Sequence, residues 1–197
     1  MKLAVVTSNP HKAEEVAAYF AGLLSVEHVP LECPEYRDPD VGVIATEKAR
    51  FAYAALKRPL IVDDTALSID ALQGFPGPYA AYVLETIGNA GILKLMEGVS
   101  DRRAHFETAI AYADECGIRI FRGILPGMIV MPRGSGGFGY DPIFAWEGRT
   151  LAEMPLDEKS RISHRARALS AFRSWVEEGK PGKAAGTTVK NADSEHK

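Results

Sequence analysis

The chain has little cysteine, no excess of basic charge and no long apolar run. Only 2 cysteines occur among 197 residues. They are Cys33 and Cys116, too few and too far apart for a four-ligand zinc site, and two reduced thiols are expected. With 23 Lys and Arg against 26 Asp and Glu, the formal net charge is -3. That is the wrong sign for general nucleic-acid binding, which draws its affinity from a broad basic field. No stretch approaches the roughly 18–20 apolar residues of a membrane span; runs such as 3–6 and 128–131 are strand-sized. The first residues lack the apolar region and cleavage site of a signal peptide, so a cytoplasmic location is expected. Internal repeats and the periods of collagen and coiled coils are also missing. What is present, 46% hydrophobic and 25% charged residues with 18 Gly and 12 Pro, describes one globular domain able to bury a core unaided. Any anion it binds must meet locally gathered positive charge.

Residues 3–6 form a short continuous apolar run, as in a strand covered on both faces. Asn9 and Pro10 then make a strong helix start, an N-cap followed by proline at the first helical position. A second strand is predicted at 26–29, an irregular acidic loop at 33–42, and a second helix carrying Ile44, Phe51, Ala52, Ala55 and Leu56. Residues 60–62 form another strand, running into Asp63 and Asp64. Alternation of this kind predicts an α/β fold with part of the sheet parallel. After the turn-rich segment 74–78 come a helical stretch around 84–96 and strand-like runs at 104–113, 118–124 and 127–131. The second half therefore adds antiparallel strands. Ser163 reads as the N-cap of a last helix through Val176. The domain spans 1–178; the remainder, 179–197, has no aromatic residue, Leu or Ile and is expected to be a disordered tail.

Six places carry the chemistry. Thr7, Ser8, Asn9, Pro10, His11 and Lys12 lie at a strand-to-helix turn, where free N–H groups and the helix dipole attract anions. Lys12 opposes that dipole, which suits a bound phosphate, although a solvated surface lysine beside a routine cap is an open alternative. Lys48 falls within the stripe of Ile44, Phe51 and Ala55, so it either snorkels outward or points its ammonium into a cleft. Asp63 and Asp64 end an apolar strand, where open α/β sheets place ligands. They point to opposite faces, one suited to a hard cation such as Mg2+, the other to a water or a loop; both capping a turn is the alternative. Glu35 is a further carboxylate in the acidic loop. Residues 134–139 formally match G-x-G-x-x-G, but Pro142 opposes the helix that a dinucleotide site needs, so that reading is rejected. What is left is either a loop that holds a flat ring with Phe138, Gly139, Tyr140 and Asp141, or a plain hairpin. Lys159, His164 and Arg165 place three potential cations near a helix start.

Taken in order, Thr7-x-Asn9-x-x-Lys12-x-x-Glu15, Asp63-Asp64-Thr65-Ala66-Leu67, Gly74-Phe75-Pro76-Gly77-Pro78-Tyr79, Gly136-Gly137-Phe138-Gly139-Tyr140-Asp141-Pro142-Ile143-Phe144, Ala152-Glu153-Met154 and Glu158-Lys159-x-x-Ile162-Ser163-His164-Arg165 resemble the inosine triphosphate pyrophosphatase, or Ham1-like, family over residues 1–178. The surroundings of Gly77 and Asp101 look most like archaeal members. The resemblance implies an elongated mixed sheet with flanking helices, two lobes around a nucleotide-binding cleft, and a homodimer. It implies Mg2+-dependent hydrolysis of ITP, dITP and XTP to monophosphate and pyrophosphate, which clears deaminated purines from the nucleotide pool. Thr7 to Lys12 with Lys48 would hold phosphates, and Glu35 and Asp64 the metal. Asp64 would take the water's proton, with Asp63 in support. Phe138 to Asp141, Lys159, His164 and Arg165 would form the base pocket beside Thr65, Phe138 stacking on the purine. Thr65-Ala66 replaces a frequent Ser-Gly, Ala81 a polar residue, Ser160 an Asn and Ala166 a Gly; none removes a charge. A non-catalytic nucleotide sensor and a pyrophosphatase for other modified nucleotides are the alternatives.

Overall fold

The structure, a computed structural model, describes residues 2–179. The predicted tail lies outside the described residues, apart from Gly179. Strands β1 (Lys2–Val6) and β2 (Ser25–Val29) pair in parallel and are joined by helix α1 (Pro10–Tyr19). The Asn9 side chain accepts the His11 N–H and Pro10 opens the helix, as predicted. Helix α2 (Val41–Leu56) leads to β3 (Leu60–Ile69), whose first three residues pair in parallel with the other edge of β1. The buried face of α2 is Val41, Ala45, Ala49 and Ala52. Phe51 and Ala55, predicted to share its apolar stripe, are exposed; the small alanines are what let the helix lie close on the sheet.

Beyond this the sheet turns antiparallel. β5 (Arg103–Asp114) pairs with the whole of β3, β6 (Gly117–Ile129) with β5, and β7 (Phe144–Trp146) and β8 (Arg149–Thr150) follow. A short β4 (Pro76–Gly77) pairs with Leu67 and Ser68 of β3. The result is one open mixed sheet of eight strands among the described residues, in the order β2-β1-β3-β5-β6-β7-β8 with β4 beside β3. Helices α3 (Ala80–Thr86), α4 (Gly88–Leu95), α5 (Leu156–Ile162) and α6 (His164–Glu177) complete it.

Three expectations need correction. β3 does not end at the aspartates; pairing with β5 carries it on to Ile69. The runs at 118–124 and 127–131 are largely one strand, β6, which ends at Ile129. The helical stretch around 84–96 is two helices that meet at Ile87 and Gly88. The rejected dinucleotide reading stays rejected, because turns and then β7, not a helix, follow the glycines.

Side chains alternate across the sheet with the period of two that strands impose. Leu3, Val5, Ile61 and Ile110 pack under α1 and α6 with Phe20 and Phe172. Ala4, Val6, Leu60 and Val62 pack under α2. A third cluster, with Leu67, Ile92, Phe106, Leu125 and Phe144, fills the half of the molecule that carries α3 and α4. Between the halves the sheet has a gap. β1 ends at Val6, opposite Val62, and β4 starts opposite Leu67. Since β5 occupies the other edge of β3, residues 63–66 have no strand on the β1 side.

Candidate functional site

A cleft of about 1150 Å³ opens at this gap and is walled by both halves. It is large enough for a sizeable small molecule. Every residue singled out from the sequence lines it except Pro10 and His11. Glu35 does so from an exposed position in the acidic loop.

Because adjacent strand residues face opposite ways, the two aspartates live in different surroundings. Asp63 shares its face with Ile61, toward α1 and α6. Its Oδ1 lies 3.3 Å from Lys12 Nζ, its Oδ2 accepts from Arg165 Nε at 2.9 Å, and its backbone oxygen is 3.4 Å from Lys12 Nζ. Burial alone would raise its pKa, but Lys12 and Arg165 outweigh burial and hold the carboxyl at about 2. Asp64 faces α2, where Lys48 Nζ sits 3.5 Å from Oδ1. Here burial dominates and pushes the carboxyl up, with Lys12 and Lys48 offsetting it only in part. Neither aspartate caps a turn. Lys12 is tied to Asp63 and is not a solvated surface lysine; Lys48 points into the cleft and does not snorkel outward.

Beneath the cleft lies a buried ion network that the sequence reading did not assemble. Glu15, on α1, pairs with Arg165 and, at 3.0 Å, with Lys159. Lys159 also donates to Asp141 Oδ2 at 2.8 Å. Three carboxylates (Glu15, Asp63, Asp141) thus face three cations (Lys12, Lys159, Arg165), and most of these side chains are nearly fully buried. The predicted trio of cations near a helix start is corrected in one member. Burial, reinforced by the neighbouring Arg165 and Lys159 charges, holds the His164 pKa well below its ordinary value, so this imidazole is neutral. Ser163 caps α6, accepting from the Ala166 N–H as predicted.

The glycine-rich segment connects two neighbouring antiparallel strands, and its tip forms the cleft wall. Asp141 Oδ2 accepts the Phe138 N–H at 2.7 Å as well as Lys159, which folds the loop back on itself. Gly137 has φ +69, and a Cβ there would lie 2.1 Å from that same oxygen, so only glycine fits. The Phe138 ring stacks on His11 at 5.2 Å with 16° between planes, and Lys159 Nζ is 4.1 Å from its centroid. Tyr140 is anchored through its hydroxyl to the Ala80 carbonyl at 2.7 Å.

Several residues at the cleft were given no role from the sequence: Phe106 and the Pro78 to Tyr82 lip in its wall, and Glu15 and Thr108 behind it. Glu15 had a usable signal. It lies three residues after Lys12, on the same helix face, and is a glutamate on the buried side of α1. Thr108 had none, being one hydroxyl in a long apolar strand.

A divalent cation suits the donor set. Asp63 is saturated by Lys12 and Arg165, whereas Asp64 is a desolvated carboxylate whose charge is only partly compensated. Glu35 adds a second cleft carboxylate. No group of three or more His, Cys, Asp or Glu residues is placed to cage a metal among the described residues. Mg2+ takes one or two carboxylates and completes its shell with water and substrate phosphates, and Asp64 and Glu35 are the residues that would hold it.

Known proteins resemble this chain over most of its length. The profile of the Ham1 family matches residues 3–175. A protein of Thermococcus kodakarensis named dITP/XTP pyrophosphatase is 48% identical over 182 residues, 90% of this chain and 98% of the relative. Inosine triphosphate pyrophosphatase 2 of Trypanosoma cruzi is 43% identical over 178 residues, 88% of this chain and 91% of the relative. Among solved structures, the Staphylococcus aureus Ham1 protein superposes with a TM-score of 0.80 at 26% identity, covering 91% of this chain and 100% of that one.

Proposed function

The chain belongs to the Ham1 family, and on that premise we propose that it hydrolyses the deaminated purine nucleoside triphosphates ITP, dITP and XTP to the monophosphate and pyrophosphate. The observation that carries this reading is a single cleft joining a phosphate-type helix start, two inward-pointing lysines and a partly compensated aspartate to a wall of aromatic and hydrogen-bonding residues. One water is consumed and the α–β phosphoanhydride breaks. Such a reaction needs positioning and charge neutralisation more than covalent help. The N–H groups at the start of α1, with Lys12 and Lys48, bind phosphate oxygens. Asp64, whose pKa burial raises, takes the proton of the attacking water, while Asp63 keeps Lys12 and Arg165 in place. Mg2+ held by Asp64 and Glu35 would neutralise the phosphate charge when bound.

The purine stacks on Phe138. Of the two groups already against that ring, Lys159 is buried and pinned by Glu15 and Asp141, whereas His11 is exposed. The base therefore enters by replacing His11. Discrimination rests on donors in the pocket wall, which pair with a 6-oxo group and face a mismatch at a 6-amino group. The same reading includes a homodimer and a cytoplasmic location. Both rest on the family resemblance and the composition, and sedimentation and cell fractionation test them.

The test is pyrophosphate release from ITP, XTP, GTP and ATP, with Mg2+ and with a chelator, comparing wild type with Asp64→Asn. Release from ITP and XTP that needs the metal and is lost in the variant is the expected result. Equal turnover of all four nucleotides would refute the editing role. Metal-independent binding of ITP without turnover would mark a sensor.

A further inference from the structure

Behind the cleft wall runs a chain of hydroxyl groups that ends on His164. Thr65 of β3 and Thr108 of β5 are directly opposite in the sheet, and their Oγ1 atoms are 2.9 Å apart. Thr108 Oγ1 lies 2.5 Å from His164 Nδ1. At the other end, Arg165 Nη2 donates to Thr65 Oγ1 at 3.4 Å. The contact is possible because α6 starts directly against the sheet. Thr108 is paired with Gly123 of β6, and a Cβ at Gly123 would sit 2.1 Å from the His164 carbonyl oxygen and 2.4 Å from the Ala168 nitrogen. Glycine at that position is what lets the first turn of α6 bring its imidazole to Thr108.

The arginine end favours one polarity for this chain. A guanidinium only donates, so Thr65 oxygen accepts from Arg165 and has its own hydrogen left for Thr108. Thr108 accepts that hydrogen and passes its own to His164 Nδ1. The reverse polarity would turn the Thr65 hydrogen away from both of its side-chain partners, Thr108 and the donor Arg165, and out into the cleft. A neutral imidazole that accepts at Nδ1 carries its proton on Nε2. Hydrogen bonds in series polarise one another, so the Arg165 charge strengthens each link. His164 lines the cleft, and its Nε2 is not among the buried groups that lack a partner. The tautomer therefore presents an N–H donor to the cleft.

We propose that Thr108 is a positioning residue for base selectivity, fixing His164 in the Nε2–H form so that the cleft wall offers a donor to a 6-oxo purine and opposes a 6-amino one. The inference rests on the functional reading above and adds a residue that never touches substrate. Thr108→Val keeps the shape of the side chain and removes the hydroxyl; Thr108→Ser keeps the hydroxyl.

Two measurements on the full chain test it. Nitrogen-15 spectra of the His164 imidazole report the tautomer: the wild type and Thr108→Ser should show a protonated Nε2 and an unprotonated Nδ1. The ratio of kcat/KM for ITP over ATP reports selectivity, expected to fall about tenfold in Thr108→Val, the worth of one well-placed hydrogen bond, and to be retained in Thr108→Ser. A wild-type histidine protonated on Nδ1 would overturn the proposal, as would a Thr108→Val protein with unchanged selectivity. If the wild type releases pyrophosphate from neither nucleotide, the functional reading fails, and the imidazole spectrum still decides the tautomer.

Discussion

Replacing Glu15 by glutamine tests whether the charges beneath the cleft hold the fold together. The substitution keeps the side chain's shape and leaves one carbonyl acceptor, but it removes one of three negative charges from a buried network with three positive ones. Lys159 and Arg165, 5% and 4% exposed in their side chains, are then undercompensated with little water to help. Removing one partner of a buried pair costs about 3–5 kcal/mol. The retained acceptor puts Glu15→Gln at the lower end, about 3 kcal/mol. For a chain of this size each kcal/mol lowers Tm by about 2–4 °C, so a fall of about 6–12 °C is expected at pH 7.

The same variant carries a pH signature. Burial works against the Glu15 carboxylate, yet Arg165 and Lys159 prevail and hold its pKa below the ordinary 4.5. A lowered folded-state pKa stabilises the fold above the unfolded value and loses that contribution as pH falls through the folded one. The gap between wild type and Glu15→Gln is therefore complete at pH 7 and closes as the pH drops below 4.5. Restoring balance should also help. The double variant Glu15→Gln, Lys159→Met leaves Asp63 and Asp141 facing Lys12 and Arg165, and it should lose at least about 1 kcal/mol less than the sum of the singles. Urea unfolding of the four proteins measures this. A Glu15→Gln protein within 1 kcal/mol of wild type at pH 7 would refute the idea of a desolvated network.

Other perturbations separate the parts of the site. Asp64→Asn removes a carboxylate that burial already disfavours; thermal melting should show no loss of stability, while pyrophosphate release falls by about 10²–10⁴. Phe138→Ala removes the stacking surface, worth about 1–3 kcal/mol per base, so KM for ITP should rise about tenfold or more in steady-state kinetics. Gly123→Ala drives a methyl into the backbone of α6, and calorimetry should show a loss of about 1–3 kcal/mol.

The sequence exposed those parts of the fold that are governed locally. Asn9-Pro10 and Ser163 are caps, and a cap is a statement about its own turn, so α1 and α6 begin where they were predicted. Elements that depend on a distant neighbour were hidden. β6 reads as two strands because Pro126, between the predicted runs 118–124 and 127–131, looks like a break. Pro126 lies where β6 has only β5 beside it, because β7 pairs only with Met128 and Ile129, and an edge tolerates a missing N–H. The site divides the same way. Lys12, Asp64 and Phe138 were visible as residue types at suggestive turns. Glu15 and Thr108 act through contacts 150 and 56 residues away in the chain, which no local pattern reports.

The pairing of Asp63 with Asp64 shows how the sheet converts adjacency into division of labour. On a strand two neighbours cannot share one environment, so side-chain alternation sends one carboxylate into a saturated network and leaves the other only partly compensated. The gap between β1 and β4 then leaves this edge of β3 without a strand partner at residues 63–66. Strand pairing on that edge at residues 63–66 would close the cleft. Ending the parallel pairing one residue later would bring β1 alongside Asp63, whose backbone oxygen now faces Lys12. The placement of Asp64 is thus set less by its own chemistry than by where two other strands stop, and in this fold the position of the proposed catalytic carboxylate is a property of sheet register.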